Sequence, residues 1–516
     1  MVIVQSIIKV WSYILDRLVL FSLKPPVRSL ATLGILFITA GSLILVQQWK
    51  PVDFSQFSAL SQFGQLPDFL TGNSEPEEKP DPLVVQFLEG LPEQAVVEGD
   101  KILHRCDRPL SAAYLAREYY SFSRVFHRGD LEDALIRENP EAFGKKYCKE
   151  GSTVAIPEPL TSPLQNSPLG WEKERPVRAI YLRGDNTVPG RLMREVKHLK
   201  ESGANAIVFD VKDILGVVNY ASKVPEVEQY RRHRPPIRDL SKVIRFLHDN
   251  EVYVIARMAL FQDQNLSEVR PDLAIKDRNS ADGILKVKGR NLWVDAGKDE
   301  VQAYNLKIVH ELLTTGVDEI QFDYVRYPAE GDLSGVHFHN VKDVHDKTEN
   351  LKRFLAAAFT MSRGTGVHIA IDVFGVVAWG EEVDIRTTGQ RLNELSLFVD
   401  IMSPMLYPSH FSRGYGGYDN PADEPYHFYK EGVERVLSLS PRGTVVRPWL
   451  QAFAWRVTNY NEDYIIQQIR GNHSGGGVGW MMWNAGNTYE MVYRAIRNSP
   501  NLVHSEQVEE EKAPSL

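Results

Sequence analysis

The sequence predicts an α/β protein whose main body, residues 176–500, is a (β/α)8 barrel. Three observations carry that expectation. Eight short apolar runs alternate with eight helix-like segments, and repeated βα units imply a parallel sheet covered by helices. Eight such units occupy about 325 residues, an ordinary length for this barrel with its insertions. The rival open sheet lacks its signature: no G-x-G-x-x-G joins the first strand to the first helix.

The expected strands are 177–183, 206–211, 253–258, 319–325, 368–373, 398–405, 444–451 and 478–483. The expected helices lie around 188–201, 238–249, 300–314, 346–361, 387–395, 423–438, 460–470 and 487–497. The Gly475-Gly476-Gly477 run precedes a strand rather than a helix, so it reads as a turn and not a phosphate cradle. There is no P-loop and no G-x-S-x-G elbow.

Upstream, 21 uncharged residues separate Arg28 from Lys50. At about 1.5 Å rise per residue they match the ~30 Å hydrocarbon core of a membrane. Lys9, Arg17, Lys24 and Arg28 precede this stretch against the single acid Asp16. The positive-inside rule then puts the N-terminus in the cytoplasm and the barrel in the periplasm or outside. The expected order is a cytoplasmic amphipathic segment at 1–28, a single-pass inner-membrane anchor at 29–49 and a polar linker at 50–80. A small module at 81–157, a second linker at 158–175, the barrel and a disordered tail at 501–516 follow. A cleaved signal peptide is the rival reading of the apolar run, but no A-x-A site follows it.

The small module reads β-α-α-β, with Ser111 capping its first helix and Asn139-Pro140 ending its second. Cys106 and Cys148, the only two cysteines, both fall in it. They would pair in an oxidising compartment and stay buried thiols in the cytosol. The stretch ALIRENPEAFGKKYCKEGSTVAIPEP resembles a divergent LysM domain through Leu135, Asn139, Pro140, Gly151, Val154, Ile156 and Pro157. That resemblance implies a glycan ligand of the peptidoglycan type; a spacer without ligand is the alternative.

A net charge of −8 argues against a nucleic-acid partner. In a barrel of this kind the active site gathers at the C-terminal strand ends. Those ends hold Tyr181 and Arg183, Asp210 and Lys212, Arg257, Asp323-Tyr324-Val325-Arg326, Asp372, Met405 and Tyr407, Gln451 leading to Trp455, and Trp480, Trp483 and Asn484. Several acids at strand ends suggest acid–base chemistry, and glycoside hydrolysis needs two carboxyl groups flanking one bond. Asp323 and Asp372 end neighbouring strands about 4.8 Å apart and form the expected catalytic pair. Arg257 or Arg326 offers Asp323 a counter-charge. Asp210, Lys212, Arg257, Tyr324, Arg326, Tyr407, Trp455, Trp480 and Asn484 are the expected substrate contacts. Trp480 and Trp483 differ in strand parity, so a straight strand can turn only one of them inward. Glu381 and Glu382, in the loop after strand 5, are reserve acids. His337, His339 and His345 lack a suitably spaced acid, so no metal and no cofactor is expected.

The motifs FDVKDILGVVNY, EIQFDYVRYP, IDVFG and DIMSPMLYPSHF resemble a bacterial family of glycoside-hydrolase-type barrels of otherwise unassigned function. The resemblance covers nearly all of 176–500. It implies a polysaccharide substrate, with Asp323 as nucleophile and Asp372 in the acid position. The expected function is therefore cleavage of an envelope or extracellular polysaccharide. A non-catalytic glycan-binding or envelope scaffold is the alternative.

Overall fold

The computed structural model describes residues 81–500. The expected cytoplasmic segment, membrane anchor, first linker and C-terminal tail lie outside the described residues. No helix among the described residues is long and apolar enough to cross a membrane.

Eight parallel strands close on themselves. In chain order they are Arg178–Leu182, Ala206–Lys212, Tyr253–Ala259, Glu319–Asp323, His368–Phe374, Ile401–Met405, Trp449–Gln451 and Trp480–Trp483. Each pairs with its sequence neighbour, and the eighth returns to the first through Trp480↔Arg178 and Met481↔Ala179. All seven residues of the second and third strands are buried, because the barrel interior covers one face and the helices the other. Outward residues such as Ile207, Phe209, Val254 and Ile320 form the main core with the helices. The helix Pro189–Ser202 shows how: Leu192, Val196 and Leu199 share one face and are buried, and Gly203 ends it at φ 81°.

Inward side chains stack in layers drawn from alternate strands, the packing expected of this barrel. Tyr181, Arg257, Asp372 and Trp449 come from strands 1, 3, 5 and 7, and Asp372 touches two of the others. Deeper inside, the fully buried Arg447 and Glu319 pair at 2.7 Å.

Two expected elements are broken. The seventh strand comes in two pieces, Val445–Val446 and Trp449–Gln451, because Pro448 has no N–H to give to the ladder. The helix expected at 387–395 is instead a helix Glu382–Thr388 that stops at Gly389, φ 77°, followed by the single turn Leu392–Leu395. Gly479 sits where strands 8 and 1 meet. A Cβ there would lie 2.2 Å from the Val177 carbonyl oxygen, so glycine is required.

Residues 158–175 are packed as a strap rather than free as a linker. Asn166 Nδ2 donates to the Ser241 carbonyl at 2.9 Å, and the Leu169 N–H donates to Asp318 Oδ1 at 2.5 Å. Trp171 stacks on Tyr253, centroids 5.2 Å apart, at the N-terminal end of the strands. Pro- and Ser-rich composition concealed this, since it marks irregular backbone and not mobility.

The small module has the expected β-α-α-β core: Lys101–Arg105, Ala112–Glu118, Arg128–Glu138 and Thr153–Ala155. A strand Ala95–Glu98 and a helix Pro82–Glu89 extend it. Asn139 does more than stop the second helix. Its Nδ2 donates to the Leu135 and Ala155 carbonyls and its Oδ1 accepts from the Ala155 N–H, tying helix end to last strand. Cys106 and Cys148 are joined in a disulfide across 42 residues. Closing a loop of that length stabilises by about 4 kcal/mol in the chain-entropy account. Cys106→Ser is expected to lower the midpoint of module unfolding, followed by proteolysis at 81–157. Equal resistance of variant and wild type would contradict the bond's role.

Candidate active site

The fourth barrel strand, EIQFD, alternates: Ile320 and Phe322 face the helices, while Glu319, Gln321 and Asp323 face inward. Asp323 therefore ends the strand at its C-terminal mouth. Tyr324, the next residue, sits at φ 54°, a left-handed conformation that non-glycine residues rarely adopt. Its N–H donates to Asp323 Oδ1 at 2.5 Å, so the turn holds the carboxyl in place. Strain of this kind concentrates at functional sites.

Arg257, from the middle of the third strand, organises the acids. Its guanidinium is ion-paired with Asp210 and with Asp323, and its Nε lies 3.7 Å from Asp372 Oδ2. One buried cation thus serves three carboxyl groups, all at most 5% exposed. Tyr181 Oη donates to Asp210 Oδ2 at 2.6 Å. Burial raises the Asp210 pKa, with Arg257 opposing it. Asp372 is pushed well above the usual carboxylate range, first by burial and then by repulsion from Asp323, again against Arg257. Its Oδ1 accepts from Gln321 Nε2 and from Trp449 Nε1, both at 2.7 Å, while its Oδ2 has no hydrogen-bond partner. The charged group beside Oδ2 is the Arg257 Nε, 3.7 Å away.

The raised pKa has a stability consequence. The folded state holds a proton on Asp372 that the unfolded state releases, so this group's contribution falls as pH rises above about 4. Asp372→Asn keeps an acceptor for Gln321 and Trp449 and abolishes the titration. The variant's stability advantage over the wild type is expected to grow with pH, by at most about 1.4 kcal/mol per pH unit. Urea melts at pH 5, 6 and 7 measure it; a constant difference would refute the assignment.

Above the acids opens a cleft of about 560 Å3, walled by Asp323, Arg257, Tyr324, Arg326, Glu330 and a broad aromatic surface. Tyr407, Phe453, Trp483 and Trp455 build that surface; the Phe453 and Trp483 rings meet edge to face at 5.4 Å. Trp455 is 51% exposed at the rim. Arg326 lies over the Phe374, Trp293 and Tyr324 rings at 4.3, 4.9 and 5.2 Å and pairs with Glu330 at 2.9 Å. Burial pushes the Tyr324 hydroxyl up to about 12, so it is a neutral donor at physiological pH. Such a surface can stack sugar rings while the polar floor takes their hydroxyls.

Six of the expected residues therefore share one cleft: Arg257, Asp323, Tyr324, Arg326, Tyr407 and Trp455. Asp210 and Asp372 lie against Arg257 but outside the cleft wall. Three expectations are corrected. Lys212 is not a substrate contact: a bulge shifts the register between Asp210 and Lys212 and turns Lys212 toward the helices. There it is fully buried, paired with Asp263 at 2.8 Å and bonded to Asn305. Trp480 faces the helix layer and belongs to the main core, whereas Trp483 faces inward, as strand parity requires. Asn484 orders the turn after strand 8, donating to the Ala452 carbonyl at 2.6 Å and accepting from the Gly486 N–H at 2.8 Å.

The reserve acid Glu382 pairs with Arg386 and Arg391, and neither it nor Glu381 is in the cleft wall. Glu330, His410, Phe411 and Tyr415 were missed. The aromatic, glycine-rich loop PSHFSRGYGGY after strand 6 was the available signal for the last three. Of the three histidines, His345 approaches Glu349 and Glu394 on the surface, where Lys352 pairs with both glutamates at 2.6 and 3.0 Å.

A closed (β/α)8 barrel with acids, an arginine and stacked aromatic rings at its C-terminal mouth defines the class of carbohydrate-active barrels. The chain belongs to the family described as "Putative glycosyl hydrolase domain", whose model matches residues 179–489. Among solved structures it is similar to a hypothetical protein from Ruminiclostridium thermocellum ATCC 27405. That likeness has 32% identity, 38% of this chain and 97% of that one, and a TM-score of 0.34. It is also similar to the PgaB (BpsB) glycoside hydrolase domain from Bordetella bronchiseptica, with 15% identity, 62% and 98% coverage and a TM-score of 0.47. The spore cortex-lytic enzyme SleL from Bacillus cereus is similar at 10% identity, with 78% and 86% coverage and a TM-score of 0.37. No curated protein matches the chain.

Proposed function

We propose that the protein hydrolyses glycosidic bonds of an envelope or extracellular polysaccharide. The observation that carries this reading is the acid cluster: Asp323, held by Arg257 and the Tyr324 N–H, opens onto an aromatic cleft of about 560 Å3, within the size range of sites that take a whole small-molecule ligand. Asp323 acts as the nucleophile or as the carboxylate that stabilises charge at the anomeric carbon.

The proton for the leaving oxygen must come from a carboxyl group within hydrogen-bond reach. Asp372 has a pKa raised well above the usual carboxylate range by burial, but it is 1% exposed and lies outside the cleft wall. Glu330 is the second carboxyl group in that wall, ion-paired with Arg326 at 2.9 Å, and can give a proton only after substrate displaces that pair. Asp372, held by Gln321 and Trp449, then acts as a positioning residue beside the Arg257 guanidinium that holds Asp323.

The anchor at 29–49 would hold the barrel outside the cytoplasm, where polymeric glycan is available. The Cys106–Cys148 bond supports an oxidising compartment. The LysM-like module would add a second grip on the polymer. The test is incubation of the full chain with purified envelope polysaccharides and exopolysaccharides, followed by assay of new reducing ends. The second reading, a non-catalytic glycan binder, is favoured by the position of Asp372 away from the cleft wall. Polymer bound but unshortened after long incubation would establish that reading.

A further inference from the structure

The cleft is walled by loops after strands 4 to 8; the loops after strands 1 and 2 enclose something different. Together with the small module they form a groove of about 710 Å3. Arg117, His127 and Arg128 of the module face Arg231, Arg234 and Arg238 of the barrel across it. Among the described residues Asp239 is the one acid in its wall, and its carboxylate is engaged in capping the helix Leu240–Asp249, accepting from the Lys242 N–H at 3.0 Å.

This concentration of positive charge stands on a chain whose net charge is −8. The cations are also poorly neutralised. Among the described residues, Arg128, Arg234 and Arg238 have no acidic partner, and all three are exposed. Arg117 pairs with its neighbour Glu118 at 3.0 Å, Arg231 with Glu228 at 2.5 Å, and His127 lies 3.3 Å from Asp130. Like charges gathered in a concave wall focus a positive potential and attract anions.

The groove is held in shape by the module–barrel contact. Lys242 Nζ, from the barrel, donates to the Tyr120 and Val125 carbonyls of the module at 2.6 and 2.7 Å. Phe126 of the module stacks on Phe246 of the barrel, centroids 4.1 Å apart. Pro235 and Pro236 stiffen the strip that carries Arg234 and Arg238.

We infer that this groove binds the acidic groups, carboxylate or phosphate, of an anionic glycan whose further sugars reach the aromatic cleft. The inference rests on the glycan reading above and names the chemical class of that substrate. Guanidinium forks suit both carboxylate and phosphate. A linear polymer suits the arrangement, because both openings are built from loops on one face of the barrel.

The test uses the full chain and its triple variant Arg128→Ala, Arg234→Ala and Arg238→Ala, whose side chains are exposed and support no core contact. Binding is measured to polygalacturonate, to phosphomannan, to neutral dextran and to duplex DNA. The variant is expected to lose roughly tenfold in affinity for one acidic polysaccharide, the sum of three modest ion pairs. Wild-type affinity for the same polymer should fall on raising salt from about 50 to about 200 mM, and dextran binding should be unchanged. The tighter of the two acidic polymers identifies the anion. Unchanged affinity in the variant, or duplex DNA bound as tightly as either polysaccharide, overturns the inference. Asp323→Asn is expected to keep the groove's binding, so failure of hydrolysis and failure of the groove are read separately.

Discussion

Asp323→Asn is expected to lower turnover by roughly 10²–10⁴-fold while leaving the barrel folded. Asparagine has the same shape, and its amide oxygen can still accept from the Tyr324 N–H. Arg257 loses one ionic partner but keeps Asp210, and the cluster, with three acids to one arginine, becomes less negative. Repulsion from Asp323 contributes to the raised Asp372 pKa, so the variant should also bring Asp372 down. Reducing-end assays and thermal melts measure the two effects side by side. Near-wild-type turnover in a folded variant would sink the catalytic assignment.

Arg257→Ala is expected to cost the most in stability. It leaves Asp210, Asp323 and Asp372 buried with no ion-pair partner among the described residues. Breaking a buried pair in this way costs about 3–5 kcal/mol at neutral pH. The sign of the pH dependence follows from the charges. Without arginine the Asp210 and Asp372 pKa values, already raised by burial, rise further, the folded state binds more protons than the unfolded one, and stability falls as pH rises above about 4. The deficit should therefore be largest at pH 7 and shrink toward pH 5. Urea denaturation at both values measures it. Arg257→Lys should fall between wild type and Arg257→Ala, since it keeps the charge but not the fork that reaches three partners. A deficit independent of pH would show that lost packing, not lost charge, is responsible.

Much of the site was legible because a parallel strand projects alternate residues inward and the barrel puts its chemistry at strand ends. Asp323, Arg257 and Tyr407 could be picked by counting along their strands. Counting failed at Lys212, where one extra residue in the second strand reverses the facing, and no local pattern announces a bulge. At Trp480 and Trp483 parity stated the choice but not its answer, which depends on register against strand 1. Glu330 escaped because loop residues have no period; the Arg326 ion pair places it.

The barrel and its acidic, aromatic mouth were determined by the sequence alone, because apolar periodicity and strand-end residue types are local properties. The tertiary structure decided what depends on distant parts of the chain. It set three carboxyl groups from strands 2, 4 and 5 around one arginine from strand 3. It placed Asp372 outside the cleft wall and the module's arginines opposite those of the barrel. Each of these is a contact between residues far apart in sequence, made only when the sheet closes and the module packs against it.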